Sequence, residues 1–309
     1  MQISVVICTH NPNPVFINRV LAALKAQTLP GEHWELLLMD NASREPLASV
    51  LDLSWHPHAQ LIREEKIGKN YALLTAFGKV KGDLIVIVDD DNVLDPGYLE
   101  TALQLERNHS HLGVWGGSCI AEFEVQPPAF LEKYMNRLAI SVVAQPRWSN
   151  SYSDFEAIPA GAGMVIRRTI AERYKSVVTE CKIRQGLGRT GKSLAACEDT
   201  DLAWTAIDMG FSAGRFPELK LTHLIPRRRV EPDYILALIE GDATSRVLLD
   251  HARKQSTFPG EARTRLIRKL WLRLRLPEFD YRAQNAVTAG IQRGISILES
   301  ASNQGGDLS

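Results

Sequence analysis

Asp89, Asp90 and Asp91 stand in a row directly after the apolar run Leu84 to Val88. Three adjacent carboxylates repel one another unless a cation neutralises them, and hard oxygen ligands suit Mg²⁺ or Mn²⁺. The run before them is apolar at every position, as in a central strand buried on both faces. Ligands of open α/β sheets bind beyond the carboxyl ends of such strands, which puts the triplet where a divalent metal would meet a substrate. A turn or a cap is the plainer account, but it explains one aspartate and not three. Asp95, followed by Pro96, already reads as a helix N-cap with proline at N1.

A second acidic cluster, Glu198-Asp199-Thr200-Asp201, opens a helical stretch that ends at Gly210. Carboxylates in a first helical turn gain about 0.3 to 1 kcal/mol each from the macrodipole, which would account for the cluster without any chemistry. The alternative is a general base, because the rigid start of a helix is a suitable mount for a carboxylate that must meet a reacting hydroxyl. Thr9-His10-Asn11 and Asp40-Asn41-Ala42-Ser43 each follow a strand at the same sheet edge, so their polar side chains would face a crevice shared with the aspartates. Turn chemistry is the competing account for both. Lys69-Asn70 opens a helix whose dipole and charge would suit a phosphate. His223 ends a short strand candidate, Leu219 to Leu224, as either a ligand or a satisfied core imidazole.

Gly186 to Ser193 (GLGRTGKS) matches the phosphate-loop pattern GxxxxGK[ST]. Its context argues against that chemistry. A phosphate cradle needs a buried strand immediately before the first glycine, and the residues there, Glu180 to Gln185, are polar. The strand ending in aspartate also precedes the loop, the reverse of the usual order. A mobile basic loop is the better reading.

The elements that must hold these residues alternate in the way βαβ units do. Ile3 to Cys8, Glu35 to Met39, Gln60 to Arg63 and Leu84 to Val88 read as strands, and Val15 to Gln27 and Lys69 to Val80 as helices. Phe16, Ile17, Val20, Leu21 and Leu24 share one face of the first helix, which should cover the sheet. A helix follows Asp95 to about Asn108. Beyond Gly113 the pattern loosens, through Pro127 and Pro128 and a polar loop from Pro146 to Phe155. Ala162 to Ile166 is a further strand, and from Pro232 onward the chain is helical. The division expected is 1–117 for a nucleotide-sugar-binding half, 118–225 for an acceptor-binding and catalytic half, and 226–309 for a helical extension.

Composition narrows the function. With 309 residues, 45% hydrophobic and 23% charged, the chain can bury a full core, and it has no apolar run of the ~18 residues a membrane span needs. Lys plus Arg and Asp plus Glu are 36 each. No global field is left to hold a nucleic acid, so none is expected as a partner. Cys8, Cys119, Cys181 and Cys197 show no CxxC spacing, which argues for reduced thiols over a zinc ribbon or a disulfide framework. No basic segment precedes the apolar run at Ile3, so a cytoplasmic location is expected.

In order and spacing the motifs resemble those of the family 2 inverting glycosyltransferases with a GT-A fold, over about residues 2 to 225. The resemblance rests on Thr9-His10-Asn11 after the first strand, Gln27-Thr28, Asp40 to Ser43, Asp89 to Asp91, Gly161 to Arg167 (GAGMVIR) and Glu198-Asp199. It implies a Rossmann-like, mostly parallel sheet flanked by helices, and transfer from a nucleoside-diphosphate sugar to a saccharide or lipid-linked saccharide acceptor. By matched position, Thr9 and Asn41 would line the base pocket with Asn11 and Asp40 beside them, and Asp90 would touch the ribose. Asp91, together with Asp89 and His223, would hold Mn²⁺ or Mg²⁺ on the diphosphate, beside the phosphate site read at Lys69. Asp199 matches the general base, with Glu198 next to it. Many members carry Asp at the position of Asn41, where it reads uracil, so the base is left open. The Gly186 to Ser193 loop matches a basic loop that often precedes the Glu-Asp pair in this family.

The expected chemistry is a single in-line displacement that inverts the anomeric carbon, in polysaccharide or glycoconjugate synthesis of the bacterial type. A nucleotidyltransferase would use the same acidic edge, but usually with a glycine-rich loop after the first strand, where Thr9-His10-Asn11-Pro12 has no glycine. The third alternative, a non-catalytic sugar-nucleotide-binding scaffold, fits poorly with intact Asp91 and Asp199. In the C-terminal part, Leu266, Ile267, Leu270, Trp271 and Leu274 form an apolar stripe among Arg263, Arg265, Arg268, Lys269, Arg273 and Arg275. Residues 263–275 would either pack on the catalytic domain or lie on the inner face of an anionic membrane.

Overall fold

The computed structural model describes residues 1–190, 194, 196–254 and 275–303. Lys192 and the basic stripe, apart from Arg275, lie outside the described residues. The chain divides into two compact units. The first, Met1–Glu122, Ala139–Val177 and Glu198–Ile225, contains every residue of the acidic clusters.

Its framework is one sheet in the order β3-β2-β1-β4-β8-β6-β9-β5, with β7 paired to β9. The strands are β1 (Ile3–Thr9), β2 (Trp34–Asn41), β3 (Ala59–Glu64), β4 (Leu84–Val88), β5 (Asn92–Leu94), β6 (Leu112–Phe123), β7 (Arg147–Ser149), β8 (Val165–Arg167) and β9 (Ser212–Ile225). β3, β2, β1 and β4 run parallel, the Rossmann-like part of the sheet. β8 is antiparallel to both β4 and β6, so β6 points the same way as the parallel set. All five residues of β4 are buried, as its unbroken apolar run requires. The helices are α1 (Pro14–Lys25), α2 (Lys69–Phe77), α3 (Tyr98–Asn108), α4 (Arg168–Glu180), α5 (Lys182–Gln185) and α6 (Glu198–Asp208). α1 buries Phe16, Ile17, Val20, Leu21 and Leu24, the face its sequence marks out.

Three local expectations change. Asp95 does not cap α3: that helix starts at Tyr98, and the Asp95 carbonyl accepts from the Tyr98 N–H in the turn before it. His223 does not end an isolated short strand. It lies within the fourteen residues of β9, opposite Asn92 of β5. The strand-like Gly113 to Gly117 belongs to a longer element than its pattern shows, the twelve-residue strand β6, whose glycines hide its periodicity from the sequence. A Cβ on Gly117, for example, would fall 1.9 Å from the Leu219 carbonyl.

The second unit takes Phe123–Leu138, Val178–Cys197 and the chain from Pro226. Its main feature is a helix pair, α7 (Pro232–Ala252) and α8 (Glu278–Asn303). They approach closely at Gly290, where a Cβ would sit 2.3 Å from the Glu240 carbonyl. The Thr244 hydroxyl donates to the Gly290 carbonyl at 3.0 Å. α5, not a strand, precedes Gly186, which removes the mount a phosphate loop needs. Among the described residues no helix is long and apolar enough to cross a membrane.

Candidate functional site

The triple aspartate forms the tight turn from β4 into β5, closed by the Asn92 N–H on the Asp89 carbonyl at 3.0 Å. Each carboxylate has a different partner. Asp89 Oδ1 is 2.8 Å from Lys69 Nζ. Asp90 Oδ2 accepts from the Thr9 hydroxyl at the end of β1. Asp91 Oδ1 accepts from Asn92 Nδ2 at 3.1 Å and lies 3.5 Å from His223 Nε2. Lys69 is thus one of the cations that relieve the repulsion within the triplet.

Lys69 opens α2, and the same ammonium is 3.4 Å from Glu198 Oε1. It joins the turn after β4 to the first residue of α6. Asp199, the next residue, is fixed by backbone: Oδ1 accepts from the Thr200 N–H at 2.7 Å and Oδ2 from the Gly161 N–H at 3.2 Å. The Gly161 position faces Asp199 directly, since a Cβ there would lie 3.5 Å from Asp199 Cβ. Gly163 has a φ of +73° and leaves room for Tyr98, whose hydroxyl donates to the Gly163 carbonyl at 2.6 Å. A bulkier segment would push the strand into β9.

Asp40, Asn41 and Asn11 are placed at the same sheet edge, but their side chains serve the loops. Asp40 accepts from the Ser43 and Leu47 N–H groups and pairs with Arg63 at 2.8 Å. Burial alone would raise its pKa, and these hydrogen bonds, from Ser43 foremost, outweigh burial and hold it below the ordinary carboxylate value. The Asn41 amide donates to the Glu64 and Lys66 carbonyls and accepts from the Gly68 N–H at 2.7 Å, clamping the turn into α2. Asn11, at φ +51°, accepts from the Arg44 N–H at 2.9 Å and ties the loop after β1 to the loop after β2. Sequence reasoning missed Arg63, Asn92 and Tyr98. The asparagine directly after the aspartates was the available signal for Asn92; Arg63 acts across strands and Tyr98 from α3 onto the loop before β8, and neither leaves a local mark.

Among the described residues no three His, Cys, Asp or Glu side chains converge to hold a metal ion. Asp91 and His223 are the pair that could hold one, with the remaining positions left for substrate oxygens and water, the mode usual for a hard cation that retains waters on a phosphate.

The chain matches the family model described as glycosyl transferase family 2 over residues 4–174, more than half its length. A stretch of 96 residues is 31% identical to the undecaprenyl-phosphate 4-deoxy-4-formamido-L-arabinose transferase of Shewanella sediminis (strain HAW-EB3), covering 29% of this chain and 28% of that protein. The chain therefore spans little more than a quarter of that relative. Two solved structures are similar over nearly the whole chain. The mannosyltransferase PcManGT from Pyrobaculum calidifontis, in complex with GDP-Man and Mn²⁺, is 20% identical at a TM-score of 0.54, covering 98% of this chain and 80% of that one. S. aureus TarS 1-349 is 13% identical at a TM-score of 0.50, covering 99% and 92%. At such identities the structural likeness is one of fold. The family model and the fold together establish that the chain belongs to glycosyl transferase family 2 and is a glycosyltransferase of the GT-A fold.

Proposed function

We propose that this glycosyltransferase moves a sugar from a nucleoside-diphosphate sugar to an acceptor hydroxyl with inversion at the anomeric carbon. The observation that carries the reading is the Lys69 bridge, with its ammonium on Asp89 at 2.8 Å and on Glu198 at 3.4 Å. It holds the helix start bearing Asp199 in register with the acidic turn where a donor would bind. Asp199 acts as the general base, taking the acceptor proton as the new bond forms. Its carboxylate is already held by two backbone N–H groups, so little reorganisation is needed.

Asp90 takes the ribose of the donor, and Thr9, bonded to it, lines the base pocket with the loops that Asn11, Asp40 and Asn41 stiffen. Asp91 and His223 would hold Mn²⁺ or Mg²⁺, and when bound the ion would supply Lewis-acid neutralisation of the departing diphosphate. The solved mannosyltransferase with GDP-Man and Mn²⁺ supports that choice of donor class and ion. Residues 1–117 serve the donor, 118–225 the acceptor and catalysis, and 226–309 form an extension. A lipid-linked acceptor is the class the undecaprenyl-phosphate relative favours, and the basic residues 263–275 would meet the anionic membrane that carries it.

Thermal-shift measurement over a nucleotide-sugar panel with and without Mn²⁺ tests the reading. Stabilisation by a nucleotide sugar, followed by a transfer product whose anomeric NMR coupling shows inversion, is the expected result. Retention of configuration would remove the single-displacement mechanism.

A further inference from the structure

Arg215 of β9 is in register with Arg147 of β7 across an antiparallel pair. Like charges directly opposite each other destabilise a sheet unless counter-charges intervene. Arg147 has two, Asp154 at 2.8 Å and Glu156 at 2.9 Å. Arg215 forms no ion pair with any carboxylate among the described residues. Its hydrogen-bond partner is the neutral hydroxyl of Ser141, and its Nε is buried without a partner. Cys119, an ionisable neighbour, has a thiol that burial pushes up to about 12, so it stays neutral and supplies no counter-charge. Burial also draws the guanidinium below its ordinary value, and the Glu156 carboxylate only partly opposes that. Arginines are seldom buried unless paired, and this one is half-buried in the catalytic unit with no carboxylate in ion-pair contact, the Glu156 charge only partly offsetting its burial.

Its place in the sheet limits what it could serve. The Cys119 thiol senses Asp91 and Asp89 as well as Arg215, so the arginine and the acidic edge share a neighbour. Yet eight residues of β9 separate Arg215 from His223, up to roughly 26 Å of extended strand. That is too far for the donor diphosphate, which already has Lys69 and the Asp91–His223 pair. It suits a second substrate that reaches the site from the β9 side.

We propose that Arg215 is the receptor for an oxyanion, a phosphate or a carboxylate, carried by the acceptor at a distance from its reacting hydroxyl. The inference rests on the glycosyltransferase reading with the donor at the acidic turn. Guanidinium geometry matches either group through two parallel N–H donors, which the two terminal nitrogens can supply while Nε stays buried. A phosphate would come from a lipid-linked acceptor and a carboxylate from an acidic sugar.

The test is calorimetric binding to the full chain, comparing wild type, Arg215→Lys and Arg215→Met. The probes are farnesyl phosphate with farnesol as its neutral control, and methyl glucuronide with methyl glucoside as its control. UDP and GDP with Mn²⁺ report on the donor site in the same samples. We expect the wild type to prefer one anionic probe over its control by about tenfold or more, Arg215→Met to lose that preference, and Arg215→Lys to keep part of it, all with unchanged nucleoside diphosphate affinity. The probe that shows the preference identifies the source of the oxyanion. No anionic preference in the wild type, or an equal one in Arg215→Met, would overturn the proposal while UDP or GDP binding leaves the glycosyltransferase reading intact. Loss of nucleoside diphosphate affinity in Arg215→Met would place the residue in the donor site and also overturn it. Failure of the wild type to bind any nucleotide or nucleotide sugar would remove the underlying reading as well. Should Arg215→Met not fold, the reduced preference of Arg215→Lys decides.

Discussion

The Gly161 N–H donates to Asp199 Oδ2 at 3.2 Å, so the loop before β8 and the start of α6 meet at one carboxylate. The Gly161 position also lies beside the Lys69 ammonium: a Cβ there would stand in ordinary contact with both, 3.5 Å from Asp199 Cβ and 4.0 Å from Lys69 Nζ. Asp89, Lys69 and Glu198 form a continuous path of ion pairs from the acidic turn to the same helix start.

Asp91→Ala is expected to abolish turnover and the metal dependence of nucleoside diphosphate binding. The variant leaves His223 alone at the ion position, and one imidazole is a poor site for a hard cation. Titration of UDP and GDP with and without Mn²⁺ checks it, and a metal dependence equal to wild type would place the ion elsewhere.

How much of this was legible in the sequence follows from how local each signal is. The parallel half of the sheet was readable because β1, β2 and β4 are buried runs and α1 has a clear apolar face. β4 in particular was marked residue for residue. The antiparallel half was legible only in pieces, at Gly113 to Gly117, Ala162 to Ile166 and Leu219 to Leu224, since the full lengths of β6 and β9 depend on glycines and on partners distant in sequence. The acidic turn and the α6 start announced themselves through charge density. What the sequence could not show was that Asn41 and Asp40 turn inward to the backbone, because an amide that closes a loop and one that reads a base are the same residue type.

Lys69→Met should leave Asp89 and Glu198 facing each other without the intervening cation. We expect stability to fall by about 1 to 3 kcal/mol, the worth of hydrogen bonds to a charged group, with a larger fractional loss in kcat than in donor affinity. Lys69→Arg should recover part of both. Denaturant melts and steady-state kinetics on the two variants provide the comparison, and equal stability of Lys69→Met and wild type would show the bridge to be incidental.

Gly163→Ala should destabilise the fold by about 2 to 4 kcal/mol, from left-handed backbone strain together with overpacking. The new Cβ would fall 2.5 Å from the Tyr98 hydroxyl and 2.6 Å from Leu221 Cδ2. A melting temperature within a degree or so of wild type would mean that β8 and α3 separate more readily than their packing implies.

His56 carries the pH dependence. Its ring is buried against Trp34 and Trp55, with Nδ1 accepting from the His58 N–H at 3.1 Å. Protonating Nδ1 would break that bond, and burial, with His58 adding to it, holds the pKa below its ordinary 6.5. The unfolded chain therefore binds the proton first, so stability is full above about pH 6.5 and falls as the pH drops toward the folded-state value. His56→Phe should flatten the slope of melting temperature between about pH 7 and about pH 5, whatever it does to stability at neutral pH. An unchanged slope would assign the acid sensitivity to other groups.

The most direct test of the account is Asp199→Asn, measured for donor affinity and for single-turnover transfer in the same preparation. The amide keeps the shape and can still accept through its oxygen, but it cannot take the acceptor proton. The account predicts donor affinity within about twofold of wild type and kcat lower by roughly 10² to 10⁴. A variant that transfers sugar at the wild-type rate, or that loses donor binding and folding together, would contradict Asp199 as the base and leave it as a helix cap.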